Sequence, residues 1–233
     1  MAGAEYLGWP RPHIDAFLRR HQVTKVCFIP FAGISLSKNS LEDSYDVYTE
    51  KVAHVFSSMG DELESVHRAT DPIKLIEEAE AVVVGGGNTF HLVAALHETG
   101  LMAVIRAKAL AGTPYIGWSA GSNVACPSLM TTNDMPVVEP GSFKTLGLIP
   151  FQINPHYLDA KPAGHGGETR EQRIEEFLVV NPQLKVAGLR EGCLLYIEQG
   201  RLSLMGDKSL RLFQQGKEPI ELEPGSDLSV LME

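Results

Sequence analysis

The sequence predicts an α/β fold: a mainly parallel sheet whose strands are joined by crossover helices lying on both faces, with a small antiparallel meander at the carboxyl end. Three observations carry this. Short apolar runs alternate with amphipathic helical stretches. Two of those runs lead directly into small-residue turns that open helices, at Gly85-Gly86-Gly87 and at Gly117-Trp118-Ser119-Ala120-Gly121. After Cys193 the helical spacing gives way to strand-like segments broken at Gln199-Gly200, Gly206 and Gln215-Gly216. No internal repeat, low-complexity tract or linker divides the 233 residues, so one domain spanning residues 1–233 is expected.

Taken in order, Lys25–Phe31 reads as a strand, and Val52, Val55, Phe56 and Met59 recur at helical spacing before Gly60, a suitable helix stop. Asp71-Pro72 opens the next helix, with a capping side chain followed by proline at the first helical position, and the pattern runs to about Glu80. Ala81–Val84 is an apolar strand entering the triple glycine, and Leu92, Val93 and Leu96 mark a helix that ends near Gly100. Tyr115–Trp118 repeats the plan, entering Ser119 and a helix stopped by Pro127. Thr169-Arg170-Glu171-Gln172 fits a capping box, and Ile174, Phe177 and Leu178 give the helix behind it an apolar face. Leu184–Leu189 is a further strand. Open α/β sheets bind ligands at the carboxyl ends of their strands, so the active site is expected there.

The formal charge of −9 opposes nucleic acid and anionic membranes as partners, because both require a basic surface. An acidic substrate would need a local cation. No apolar run approaches the roughly 18 residues of a membrane span, and Met1–His13 lacks the basic-then-apolar layout of a secretory signal, so a cytoplasmic protein is expected. Cys27, Cys126 and Cys193 are odd in number and widely spaced, which suggests neither a disulfide framework nor a zinc site.

Gly117-Trp118-Ser119-Ala120-Gly121 matches Gly-x-Ser-x-Gly between a strand and a helix, the setting in which a serine is held in a tight bend as a nucleophile. The bland alternative is an ordinary helix cap. A nucleophilic serine needs a general base in a loop that reaches the strand ends. His156 in Asn154-Pro155-His156 fits best, since it directly follows the apolar run Ile149–Ile153. His165, between glycines, is second. His54, His91 and His97 fall inside expected helices and suit packing or surface roles. Two acids compete for the third place. Asp134 gives the order Ser, Asp, His; Glu191 gives Ser, His, Glu, and its position just after a strand end favours it.

The triple glycine lacks both the Lys-Ser/Thr ending of a P-loop and the spacing of a dinucleotide fingerprint. It reads either as a bare tight turn or as one half of an oxyanion hole, with backbone N–H groups at Gly87 and Ala120. Asn88, beside that turn, is a candidate substrate-binding residue. So is Arg170, a cation in the first turn of its helix, where the macrodipole disfavours positive charge and a bound carboxylate would offset the cost. A solvated arginine tied to Glu171 or Glu175 is the alternative.

Five segments together resemble the peptidase E family of α-aspartyl dipeptidases: Val84 to Phe90, Gly117 to Gly121, Thr132-Asn133-Asp134-Met135-Pro136, Ile153-Asn154-Pro155-His156 and Gly167 to Arg173. The similarity runs from Lys25 to about Gly200. The resemblance implies a flavodoxin-like sheet related to class I glutamine amidotransferases. It also implies a cytoplasmic serine peptidase, acting without metal or cofactor as a monomer or homodimer, on small peptides with an amino-terminal aspartate. It assigns Ser119, His156 and Glu191 as the triad, keeps Asp134 as the alternative acid, and gives Arg170 the substrate's aspartyl side chain. Family members begin with an apolar strand, whereas this sequence starts Met1-Ala2-Gly3-Ala4-Glu5-Tyr6-Leu7; loss of that strand would leave unpaired ladder groups on its neighbours. Cyanophycinase-like hydrolysis of aspartyl-arginine polymer and a catalytically inactive binding protein are the rival readings.

Overall fold

The structure is a computed structural model that describes residues 7–159 and 166–233. Helix α1 (Arg11–Arg20) precedes β1 (Lys25–Ile29), α2 (Leu41–Ser57), β2 (Glu62–Ser65), α3 (Pro72–Glu77), β3 (Ala81–Val84), α4 (Thr89–Glu98), α5 (Leu101–Leu110) and β4 (Tyr115–Gly117). The four strands are parallel, in the order β2-β1-β3-β4. Val26, Phe28, Ala81 and Val83 point to one face, where they meet Leu18 of α1 and Val52, Val55 and Phe56 of α2. Cys27, Ile29, Val82 and Val84 point to the other, against Ile76 of α3, Leu92 and Leu96 of α4 and Leu101 and Ile105 of α5. Burial on both faces is why β1 and β3 are continuous apolar runs without polar alternation.

The caps expected at Asp71 and Thr169 are present, each accepting a first-turn backbone N–H, and Thr169 and Gln172 complete a capping box; Ser40 and Asn88 cap two further helices that the sequence reading gave no cap. Helix α3 ends at Glu77, short of the expected Glu80. The Glu80 carboxylate instead accepts from the backbone N–H groups of Thr24 (2.8 Å) and Lys25 (3.0 Å), and so is drawn away to cap the entrance to β1. Helices α1 and α5 were not expected; Gly100, at φ +73°, turns the chain from α4 directly into α5.

A short helix, α6 (Ala120–Val124), leads to a second group of strands: β5 (Gln152–Pro155), then α7 (Arg170–Val180), β6 (Lys185–Leu189), β7 (Cys193–Glu198), β8 (Arg201–Gly206), β9 (Leu210–Gln214), β10 (Ile220–Leu222) and a terminal helix α8 (Ser229–Met232). β5 and β6 are parallel, and the sheet order is β10-β9-β6-β5 with β9 and β10 antiparallel. The carboxyl-terminal strands are antiparallel as expected but do not form one run. β7 and β8 make a separate hairpin, and β9 returns to pair with β6. The hairpin turn, Gln199-Gly200, has φ positive at both residues, the geometry that suits right-twisted strands.

Among the described residues no strand pairing joins β4 to β5, and side chains make the junction instead. Ile153 donates its N–H to Cys126 Sγ (3.1 Å), and its carbonyl accepts from Asn123 Nδ2 (2.9 Å) and Thr131 Oγ1 (2.8 Å). The chain from α6 to Thr131 thereby satisfies both backbone groups of Ile153 in β5. Of Met1–Leu7, only Leu7 lies within the described residues, and His165, the second histidine candidate, lies outside them.

Beyond β6, Arg190 reaches Asp159 (2.6 Å) and Glu221 of β10 (2.7 Å), with its guanidinium 5.5 Å from the Tyr157 ring centre. Hydrogen bonds from Arg190, then from Ser209 and Arg211, outweigh burial and hold the Glu221 carboxyl at about 2, below its ordinary value. A depressed carboxyl stabilises the fold above the unfolded value near 4.5 and loses that contribution as pH falls toward 2. Glu221→Gln is therefore expected to lower stability at pH 7 and to flatten the loss between pH 4.5 and 2. Denaturant midpoints across that range check this; parallel curves for the two proteins would refute it.

Candidate active site

Parallel register brings the expected site residues together in two pairs. β3 ends at the triple glycine and β4 two residues before Ser119, while β5 ends just before His156 and β6 two residues before Glu191. Pro155 pairs with Leu189 across β5 and β6, so His156 and Glu191 leave adjacent strands at the same level. Their side chains meet directly, His156 Nδ1 to Glu191 Oε1. Both remain open to solvent on their other sides, at 50% and 69% exposure. Asp134 is elsewhere: its Oδ2 accepts from the Thr89 N–H (2.7 Å) and Thr89 hydroxyl (2.6 Å), at the start of α4. Of the two acids weighed from the sequence, Glu191 is the one at the imidazole.

Ser119 has φ +54° and ψ −113°, and His156 has φ +53°. Left-handed backbone at a non-glycine residue is costly and persists only where the surroundings enforce it, typically at functional sites. For Ser119 the enforcing contacts are visible. A β-carbon at Gly121 would lie 2.2 Å from the Val84 carbonyl oxygen, and one at Gly86 would lie 2.7 Å from Ser119 Cβ. The glycine turn and the serine turn are thus packed against each other with no room for side chains between them. Gly87 takes φ +138°, and neither its N–H nor that of Ala120 has a hydrogen-bond partner among the described residues. The Ser119 hydroxyl and His156 Nε2 are likewise unengaged among those residues.

Asn88 fills a capping role at both ends of its amide. Oδ1 accepts from the His91 N–H (3.0 Å) and Nδ2 donates to the Met135 carbonyl (2.9 Å), tying the glycine turn to the Asp134 loop. Arg170, at the start of α7, is half-buried and has neither a hydrogen bond nor an ion pair among the described residues. Glu171 instead binds Arg211 (3.2 Å), which removes the expected neighbour. Burial first, and then Arg173, push the Arg170 guanidinium below its ordinary value, against the pull of Asp134. Arg170, Arg173, Asp134, Asn133, Asn154 and Thr131 line a cavity of about 140 Å³.

The helical histidines do what helix placement suggested: His91 Nδ1 contacts the Phe31 carbonyl and His97 Nε2 the Lys144 carbonyl. Three supports escaped the sequence reading. Trp118 Nε1 donates to Tyr48 Oη (3.1 Å), bracing the residue before Ser119 from α2. Thr89 fixes Asp134. Asn133 Nδ2 donates to the Pro155 carbonyl (2.6 Å), immediately before His156. Tyr48 lies far away in sequence inside an ordinary helical pattern, whereas Asn133 and Thr89 stood inside motifs already singled out. Among the described residues no cluster of three His, Cys, Asp or Glu side chains is placed to hold a metal ion, and no helix is long and apolar enough to cross a membrane.

The contact at Gly121 yields a direct expectation. Gly121→Ala must separate the serine turn from β3, an overpacking change that should cost about 1–3 kcal/mol. It should also lower activity by displacing Ser119. Denaturant unfolding measures the first effect; an unchanged midpoint would contradict the close approach.

Comparison with known proteins places this geometry in context. Residues 1–205 match peptidase family S51. The chain is 52% identical over 231 residues to a peptidase E of Nostoc sp. (strain PCC 7120), covering 99% of this chain and 92% of that protein. It is 47% identical over 205 residues to a peptidase E of Shewanella amazonensis, covering 88% and 84%. A crystal structure of a peptidase from an acI-B1 Actinobacterium superposes with a TM-score of 0.72 at 17% identity, covering 96% of this chain and 92% of that one, a likeness of fold alone. On the family match and the identity to these relatives, the chain belongs to peptidase family S51.

Proposed function

We propose that this protein hydrolyses dipeptides whose first residue is aspartate, through an acyl-enzyme on Ser119. The observation that carries the reading is the half-buried Arg170, which has no hydrogen bond or ion pair among the described residues, in a cavity tied through Asp134 and Thr89 to the glycine turn beside Ser119. A partly desolvated guanidinium with no hydrogen-bonded acceptor is completed by an anionic group on the substrate. The two relatives named above are peptidase E proteins, which accords with this assignment.

In this mechanism Ser119 Oγ attacks the carbonyl that follows the aspartyl residue, and His156 Nε2 takes its proton. The open Nε2 and hydroxyl come into hydrogen-bond contact when substrate fills the rim, as catalytic contacts often tighten on binding. Glu191 accepts from Nδ1–H, which fixes the tautomer and stabilises the imidazolium. The free N–H groups of Gly87 and Ala120 receive the oxyanion; losing one such donor typically costs about 100–1,000-fold in rate. His156 returns the proton to the leaving amine, and water, activated by the same imidazole, releases aspartate.

The experiment is hydrolysis of Asp-Leu, Leu-Leu and cyanophycin by the wild type and by Ser119→Ala. Cleavage of Asp-Leu alone, abolished in the variant, is expected. A folded wild type that cleaves none of them would refute the reading, and preference for cyanophycin would move it to the polymer. Arg170→Met should lower kcat/KM for Asp-Leu by roughly 100-fold or more, the scale of a lost charge-assisted pair. An unchanged value would remove Arg170 from recognition. Glu191→Gln should lower kcat by roughly 100-fold or more through the wrong imidazole tautomer; full activity would return the third place to Asp134.

A further inference from the structure

His156 and Glu191 touch each other but are otherwise exposed, so packing does not hold the two side chains in register. Their alignment has to come from the backbone that carries them, and Arg190 ties that backbone together. Its side chain is 14% exposed and sits between two carboxylates. Nε and Nη2 donate to Asp159 (2.8 and 2.6 Å), on the segment that follows His156. Nη1 and Nη2 donate to Glu221 of β10 (2.7 and 3.1 Å), and Nη1 also donates to the Ser209 carbonyl (2.8 Å) at the entrance to β9. The next residue in the chain is Glu191.

His156 needs such a hold because its backbone is left-handed, at φ +53°. Both of its neighbours are pinned. The Pro155 carbonyl accepts from Asn133 Nδ2 (2.6 Å), and the Tyr157 N–H donates to the Leu189 carbonyl of β6 (3.0 Å). The Tyr157 ring lies so close to Gly188 that a β-carbon there would sit 2.8 Å from it, and the Arg190 guanidinium lies 5.5 Å from the same ring's centre. Arg190 thus holds Tyr157 and Asp159 after the histidine, while its own backbone delivers the glutamate.

We propose that Arg190 is a positioning residue for hydrolysis, a clamp that keeps His156 in its strained backbone with Nδ1 against Glu191. The inference rests on the peptidase reading of Ser119, His156 and Glu191, and adds the group that keeps the base aligned. Arginine suits the place and lysine does not, since a planar fork can bind two carboxylates at once and an ammonium cannot. Glu221 anchors the guanidinium to the sheet, and Asp159 carries that anchorage to the histidine segment. Because the Asp159 side chain is 56% exposed, its pair adds little to stability, and its loss tells on alignment more than on folding.

The test compares Asp159→Ala and Arg190→Lys in the full-length chain with Asp46→Ala, which removes a comparably exposed carboxylate from Arg68 on another side of the molecule. The first two should lower kcat for Asp-Leu by roughly 10- to 100-fold with KM within about twofold, the scale of a misplaced catalytic group, and the control should stay within about twofold in both. In a Glu191→Gln background, Asp159→Ala should lower kcat by no more than about twofold, because both changes act through one imidazole. Nitrogen NMR of the Ser119→Ala protein reads the alignment without turnover. At a pH where the imidazole is neutral, His156 should hold its proton on Nδ1, and adding Asp159→Ala should admit the Nε2–H tautomer. Wild-type kcat in folded Asp159→Ala or Arg190→Lys, a full additive loss on top of Glu191→Gln, or an unchanged tautomer would overturn the clamp. A folded wild type that hydrolyses nothing yet shows the tautomer change would reject the dipeptidase reading and keep the clamp on His156.

Discussion

The site depends on the close approach of two backbone turns, Gly85–Gly87 after β3 and Gly117–Gly121 around Ser119. Parallel pairing of β3 with β4 delivers both turns to one rim. The absence of side chains at Gly86 and Gly121 lets them touch. The contact forces Ser119 out of ordinary backbone geometry and leaves N–H groups on both turns without partners among the described residues. Strain and unpaired donors are liabilities in a protein that only binds. In the proposed mechanism they receive the tetrahedral oxyanion.

The second constraint is the junction between the two groups of strands. Ladder hydrogen bonds do not cross from β4 to β5 among the described residues, so Asn123, Cys126 and Thr131 make that connection with side chains and carry the chain from Ser119 to His156. The same connecting segment continues into Asn133 and Asp134, which bind Pro155 and Thr89. One stretch of irregular chain thus sets the spacing of Ser119, His156 and the cavity at Arg170. This explains why a polar segment carries so many buried hydrogen bonds.

Much of this was legible in the sequence because the governing signals are local. Strands β1 and β3, the caps at Asp71 and Thr169 and the serine turn each announce themselves within a few residues. The adjacency of His156 and Glu191 was also within reach, since two parallel strands ending together place their next residues side by side. What stayed hidden depends on contacts across the sheet. α3 stops early because Glu80 is claimed by β1, β9 bypasses the hairpin to reach β6, and Tyr48 supports Trp118 from a helix 70 residues away. Asn154 is the sharpest case. Its sequence neighbours suggested only a rigid approach to the histidine, and its orphaned Oδ1 is visible only once the amide is oriented by Asn133 and Thr131.

The account stands on Ser119 becoming acylated by an amino-terminal aspartyl group. Mass spectrometry of the wild type, quenched during turnover of an aspartyl anilide, tests this directly. The predicted result is one aspartyl group on the peptide containing Ser119, with none after incubation with a leucyl anilide. Turnover with no acylated serine, or with the acyl group on another residue, would contradict it.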